Sequence, residues 1–171
     1  MAAAKTKKPS LPPLVANHKK IMAFIAQSDD AERLAALTRN ARAQGAADVA
    51  DAAFRKLVSL VPAEKRGTVE HDFWQAVQAF EFTLTEERGK TTRLSRTRQK
   101  VVKVGVVQIL TEWATDAHPT EGFKMLVELG MPELTGEAVA LRHTKHFAAP
   151  VLEAARQRLT AAGVDLNSLP R

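Results

Sequence analysis

The chain has 171 residues, 45% of them apolar, no cysteine and a formal net charge of +6. That length and apolar content suit one sizeable domain or two very small ones, and the missing cysteine excludes disulfides, thiolate zinc sites and cysteine catalysis. No apolar run approaches the roughly 20 residues that cross a bilayer, so a soluble protein with no membrane partner is expected.

Residues 1–16 carry Lys5, Lys7 and Lys8 among Pro9, Pro12 and Pro13 and read as a disordered basic arm. They lack the apolar stretch of a secretory signal. Their prolines and lack of arginine argue against an organelle transit helix, and a cytoplasmic location is expected.

From Ile21 onward apolar residues recur at helical spacing, which predicts an all-α fold: one helical domain of about six to eight helices over 17–163, then a tail over 164–171. The first helix starts after Asn17 and breaks at Gln27-Ser28-Asp29. A second, capped by Asp29 or Asp30, closes near Gly45, and a third runs from about Ala47 to the stop at Pro62. Thr68 caps the fourth helix, whose first turn holds Glu70 and Asp72 and whose end is marked by Arg88-Gly89. A fifth is expected from about Thr92 to Thr115. Thr120 caps a short sixth ending before Gly130, Thr135 to His143 makes a further turn or two, and Pro150 opens a last helix closed by Gly163.

The charge is concentrated. Residues 88–103 hold seven Lys/Arg and no acid, and the first twenty residues hold five more Lys, so the thirteen remaining basic residues face nineteen acids, a balance of −6. Two cationic patches on an otherwise acidic chain point to a polyanion. On a helical wheel with Arg93 at zero, Arg96, Lys100 and Lys103 share an arc of about 80° with it, while Leu94, Val101, Val102, Gly105, Val106, Ile109 and Trp113 lie nearly opposite as the expected core face. Arg98 falls on that core face and must snorkel to the surface, find an acidic partner such as Glu112, or mark a place before the helix begins. Gly105 there implies close approach of another helix or a local break.

A rigid cationic stripe suits successive phosphates of a duplex. The expected function is therefore a non-enzymatic DNA-binding protein, regulatory or architectural, with contacts from Arg93, Arg96, Lys100 and Lys103. Arg98 and Gln99 are lesser candidates and Lys90 sits at the edge. The tract has no aromatic residue on which bases stack, which places duplex DNA ahead of single strands and RNA. A helix-turn-helix with Gly105 in the turn and Val106 to Trp113 as recognition helix is disfavoured, because that helix offers DNA only Gln108, Thr111 and the acidic Glu112. The alternatives are a helical adaptor docking an acidic protein, a homodimer, and an accessory DNA-processing enzyme with an active site built from distant acids.

Catalytic and cofactor signatures are weak, and neither a cofactor nor a metal is expected. Glu70-His71-Asp72 has its side chains splayed around a helix start, where dipole complementarity explains the acids. His143 and His146 have a metal-ligand spacing but no third ligand in sequence. Gly89-Lys90-Thr91 resembles the end of a phosphate loop, yet Leu84 stands where its first glycine is required.

Overall fold

A computed structural model describes residues 17–170, all-α with no strand among them. They fall into two compact units, one ending at Leu60 and the other beginning at Val61. The sequence reading takes 17–163 as one domain; the division falls where Pro62 stops a helix and the next begins only at Val69. The expected basic arm over 1–16 lies outside the described residues.

The first unit holds α1 (His18–Gln27), α2 (Ala31–Ala43) and α3 (Ala47–Leu60). The Asp30 side chain caps α2 by accepting the Arg33 N–H at 3.0 Å, and α2 and α3 form a hairpin whose turn uses Gly45 at φ 71°. Leu34, Ala41, Val49, Ala53 and Phe54 are buried, with the Arg42 guanidinium 5.4 Å from the Phe54 ring centre. His18 is hydrogen-bonded to Asp48, tying the start of α1 to α3.

The second unit holds α4 (Val69–Arg88), α5 (Ser95–Thr115), α6 (Glu121–Glu128), α7 (Gly136–Arg142) and α8 (Ala149–Ala161), with 3-10 turns at Pro132–Leu134, Thr144–His146 and Leu166–Ser168. The last turn lies where the sequence suggests a tail. Two threonines cap helices as predicted, Thr68 accepting from His71 N–H at 3.2 Å and Thr120 from Phe123 N–H at 3.1 Å, and Thr135 does the same for Ala138 N–H at 3.3 Å. Each satisfies a backbone donor that the first turn leaves without a helical partner. The core joins Val69, Phe73 and Val77 of α4 to Ile109 and Leu110 of α5 and Val139 of α7. Phe73 stacks on Trp113 at 5.4 Å between centroids and meets Trp74 edge-on at 5.1 Å.

The short α7 is the most enclosed helix of this unit: Gly136, Glu137, Ala138, Val139 and Ala140 are all buried. Its entry depends on Gly136, where an added Cβ would lie 2.7 Å from Trp113 Cε3 and 3.2 Å from Leu110 Cδ2. An indole wedged against Phe73 has little room to yield. Gly136→Ala is therefore expected to cost about 2 kcal/mol, in the range of core overpacking. Urea unfolding measures it, and an unchanged midpoint would show that Trp113 moves aside freely.

The fifth helix departs from the sequence reading in three ways. It begins at Ser95 rather than near Thr92, so Arg93 is not on it. It is broken at Gly105, where φ 78° and ψ 166° lie in a region open almost only to glycine. The cause is this backbone and not close packing, because a Cβ at Gly105 would meet nothing within 4 Å. Finally, Val102, placed on the core face by the wheel, is 88% exposed.

The break accounts for that last difference. On one continuous wheel the limb 95–104 turns inward at Thr97, Val101 and Arg98, whereas the limb 106–115 buries Val106, Ile109, Leu110 and Ala114, about 150° further round. Carrying the second limb's phase back through the break puts Val102, at about 180° on that wheel, between Ile109 and Val106, in a core face that its own limb does not have.

Candidate nucleic-acid interface

The approach to α5 is fixed from α4. After Gly89, in the left-handed region at φ 63°, residues 91–94 are non-helical, and side chains of α4 take their backbone donors. Thr85 Oγ1 accepts the Thr92 N–H at 2.9 Å, and Glu81 Oε1 accepts the Leu94 N–H at 2.7 Å. Glu81 is buried, and its carboxylate also takes both ends of the Arg98 fork, Nε at 3.0 Å and Nη2 at 2.7 Å. The Arg98 guanidinium lies 4.9 Å from the Trp74 ring centre, so hydrogen bonds in its plane and an aromatic face beside it hold this cation. The Glu81 hydrogen bonds raise the Arg98 pKa above its ordinary value.

Arg98 thus has the acidic partner that its position requires, but the partner is Glu81 and not Glu112. It serves as an anchor of the limb. Glu112 instead pairs with Lys100, which reaches it across the Gly105 break, and that hydrogen bond holds the Glu112 carboxyl below its usual range. Twelve residues of straight helix would separate these two by about 18 Å along the axis, beyond the reach of the pair, so the contact reports a sharp bend.

The remaining candidates stay at the surface. Lys90 and Arg93 are exposed along the approach, and Arg96, Gln99 and Lys103 are exposed on the first limb. Among the described residues, Lys90, Arg93, Arg96 and Lys103 have no ion-pair partner. The structure therefore sorts the seven candidates into an anchoring cation, Arg98, a shared one, Lys100, and five surface side chains. The second limb presents no comparable face: Val106, Ile109 and Leu110 are buried, and Gln108 donates to Glu112 at 3.4 Å. Two limbs joined through one residue also differ from a helix-turn-helix, which uses a turn of about three or four residues.

A second polar centre lies inside this unit, where the sequence offers only separated fragments. Asp72 is buried and accepts from Arg142 Nη1 at 2.7 Å, with His143 Nε2 at 2.9 Å and His71 Nδ1 at 3.0 Å. Arg142 also donates to the Glu133 carbonyl at 3.0 Å. Burial acts to raise the Asp72 pKa, and the hydrogen bonds from His71, Arg142 and His143 outweigh it, holding the carboxyl below its ordinary value. Asp72 is thus a buried counter-ion as well as a first-turn acid. His143 and His146 lie 6.3 Å apart between ring centres, and no three His, Asp or Glu side chains among the described residues are grouped to hold a metal ion.

A third buried charge, Glu137, is 1% exposed and accepts from Arg158 Nη1 at 3.0 Å. Arg158 also donates to the Trp113 and Asp116 carbonyls, placing a cation at the negative end of α5. Desolvation dominates here and pushes the Glu137 carboxyl up despite Arg158. Among the described residues no helix is long and apolar enough to cross a membrane. Comparisons of the chain with protein-family models, curated proteins and solved structures return no match.

Proposed function

We propose that the protein binds duplex DNA through the first limb of α5 and the segment leading into it. Arg93, Arg96 and Lys103 contact phosphates, Lys90 extends the contact at its edge, and Lys100 shares its charge with Glu112. The supporting observation is that four cations of one acid-free tract stay exposed and without an ion-pair partner among the described residues, Lys90 and Arg93 on the approach and Arg96 and Lys103 on the limb that Glu81 and Arg98 pin to α4. A pinned cationic surface meets phosphates without first being ordered, and binding by counterion release follows.

Fluorescence anisotropy over a salt series, with labelled duplex DNA, single-stranded DNA and duplex RNA, tests this. The wild-type protein is expected to prefer duplex DNA and to bind it with a steep salt dependence. Reversing two charges, as Arg96→Glu with Lys103→Glu, is expected to weaken binding and to lower the log-log salt slope by about two, at roughly 0.9 per phosphate contact. Both side chains are exposed, so helicity is retained. Full affinity in the folded double variant would remove this face from consideration.

A further inference from the structure

The first limb of α5 carries more than charge. Val102 is 88% exposed and Val104 44%, the two most exposed large apolar side chains among the described residues, both close to the Gly105 break. Scattered surface valines need no explanation. Val102 stands within the cationic tract and Val104 just beyond its end, on a limb that turns Thr97, Arg98 and Val101 inward.

Placed about 100° apart, the outward residues of the limb divide into two adjoining strips. Arg96, Lys100 and Lys103 form a cationic strip about 60° wide, and Gln99, Ser95 and Val102 form a neutral strip beside it. Gln99 and Val102 are three residues apart and so are neighbours on the helix surface. The charge of the first strip selects a polyanion, and the shape of the second narrows the choice. A helix with its side chains is about 10–12 Å across, which matches the major groove of B-DNA at about 12 Å and not the minor groove at about 6 Å. With the cationic strip along a phosphate wall, the neutral strip turns toward base edges. The apolar group offered there is the thymine C5 methyl, and the partner that suits a carboxamide in two-point contact is adenine N6 and N7. One A·T pair presents both.

We propose that Gln99 and Val102 form a base-reading pair for A·T in the major groove, the carboxamide on adenine and the isopropyl group on the thymine methyl. This inference rests on the duplex-binding reading above. It assigns to Gln99 selectivity rather than phosphate contact, and gives Val102 a role that its charge-free side chain does not advertise in sequence.

The test compares two duplexes of equal length and charge, alternating dA-dT and alternating dA-dU, the second lacking only the C5 methyl. Wild-type, Val102→Ser and Gln99→Ala proteins are titrated with each across a salt series, after circular dichroism shows equal helicity. Wild-type protein is expected to bind the dU duplex about fourfold more weakly, the worth of one buried methyl group. Val102→Ser is expected to bind both duplexes alike, near the wild-type affinity for the dU duplex and with the wild-type salt slope. Gln99→Ala is expected to lose about tenfold on both. Equal wild-type affinity for the two duplexes with a steep salt slope would overturn the base-reading pair and leave the phosphate interface standing. A flat salt slope, or displacement of DNA by polyglutamate at equal charge, would overturn the interface and the pair together and point to an acidic protein partner.

Discussion

Glu81→Ala is expected to destabilise the protein by about 3 kcal/mol, the low end for breaking a buried ion pair, because the Arg98 side chain remains 33% exposed and recovers some hydration. Three hydrogen bonds end on this one carboxylate: the Leu94 N–H and both donors of the Arg98 fork. Its removal strands a cation beside Trp74 and a backbone donor at the start of α5. Glu81→Gln keeps an acceptor for Leu94 while giving up the charge, so a smaller loss, about half, is expected. Urea unfolding followed by helix signal measures both, and Trp74 fluorescence follows release of the guanidinium. A cost below about 1 kcal/mol for the alanine variant, the worth of an ordinary neutral hydrogen bond, would show that α5 is held elsewhere. The same variant connects stability to the proposed function, since a limb no longer pinned would be ordered at the expense of binding.

Asp72→Ala is expected to cost about 3–5 kcal/mol, because it leaves Arg142 and two imidazoles facing a buried gap where a carboxylate stood. Its pH dependence has a definite sign. The folded-state pKa of Asp72 is depressed below its ordinary 3.8, so the carboxylate's contribution is complete above that value and is lost as pH falls through the lower folded one. Glu137 behaves oppositely: its folded-state value is raised above 4.5, so its contribution is complete below 4.5 and declines as pH rises through the folded value. Unfolding free energies of the wild type and of Asp72→Asn should therefore differ by a constant amount above pH 3.8 and converge in stronger acid. Those of Glu137→Gln should match the wild type below pH 4.5 and shift in favour of the variant toward neutrality. Curves parallel at every pH would mean that neither carboxyl changes its proton affinity on folding.

The two anchors differ from the helices in how readily the sequence reveals them. Helix starts were legible because capping is local: Thr68 and Thr120 each act on a residue three positions away. The all-α class followed from spacing alone. Glu81 and Arg98 are 17 residues apart and Asp72 and Arg142 are 70 apart, so neither pair has a local signature, and the oddity of Arg98 on an apolar face signalled only that a partner must exist. The Gly105 break was visible as a glycine in mid-helix. Its effect on phase was not, because the rotation between limbs depends on the φ and ψ that glycine takes, and a wheel assumes none. Those dihedrals moved Val102 away from the core, and the start at Ser95 took Arg93 off the helix, while Arg96, Gln99 and Lys103 stay at the surface.

The elbow also sets a limit on information. A limb over residues 95–104 is about 15 Å long, and at 3.4 Å per base pair it lies alongside about four or five pairs of a duplex. Four specified pairs recur by chance about once in 256 positions, so on the proposed interface a single copy scans short, frequent sites and resides at many of them in any long duplex. An unbroken 21-residue helix would reach about twice as far, so on the proposed interface glycine at 105 would limit the stretch of duplex that the limb itself follows to less than half a turn.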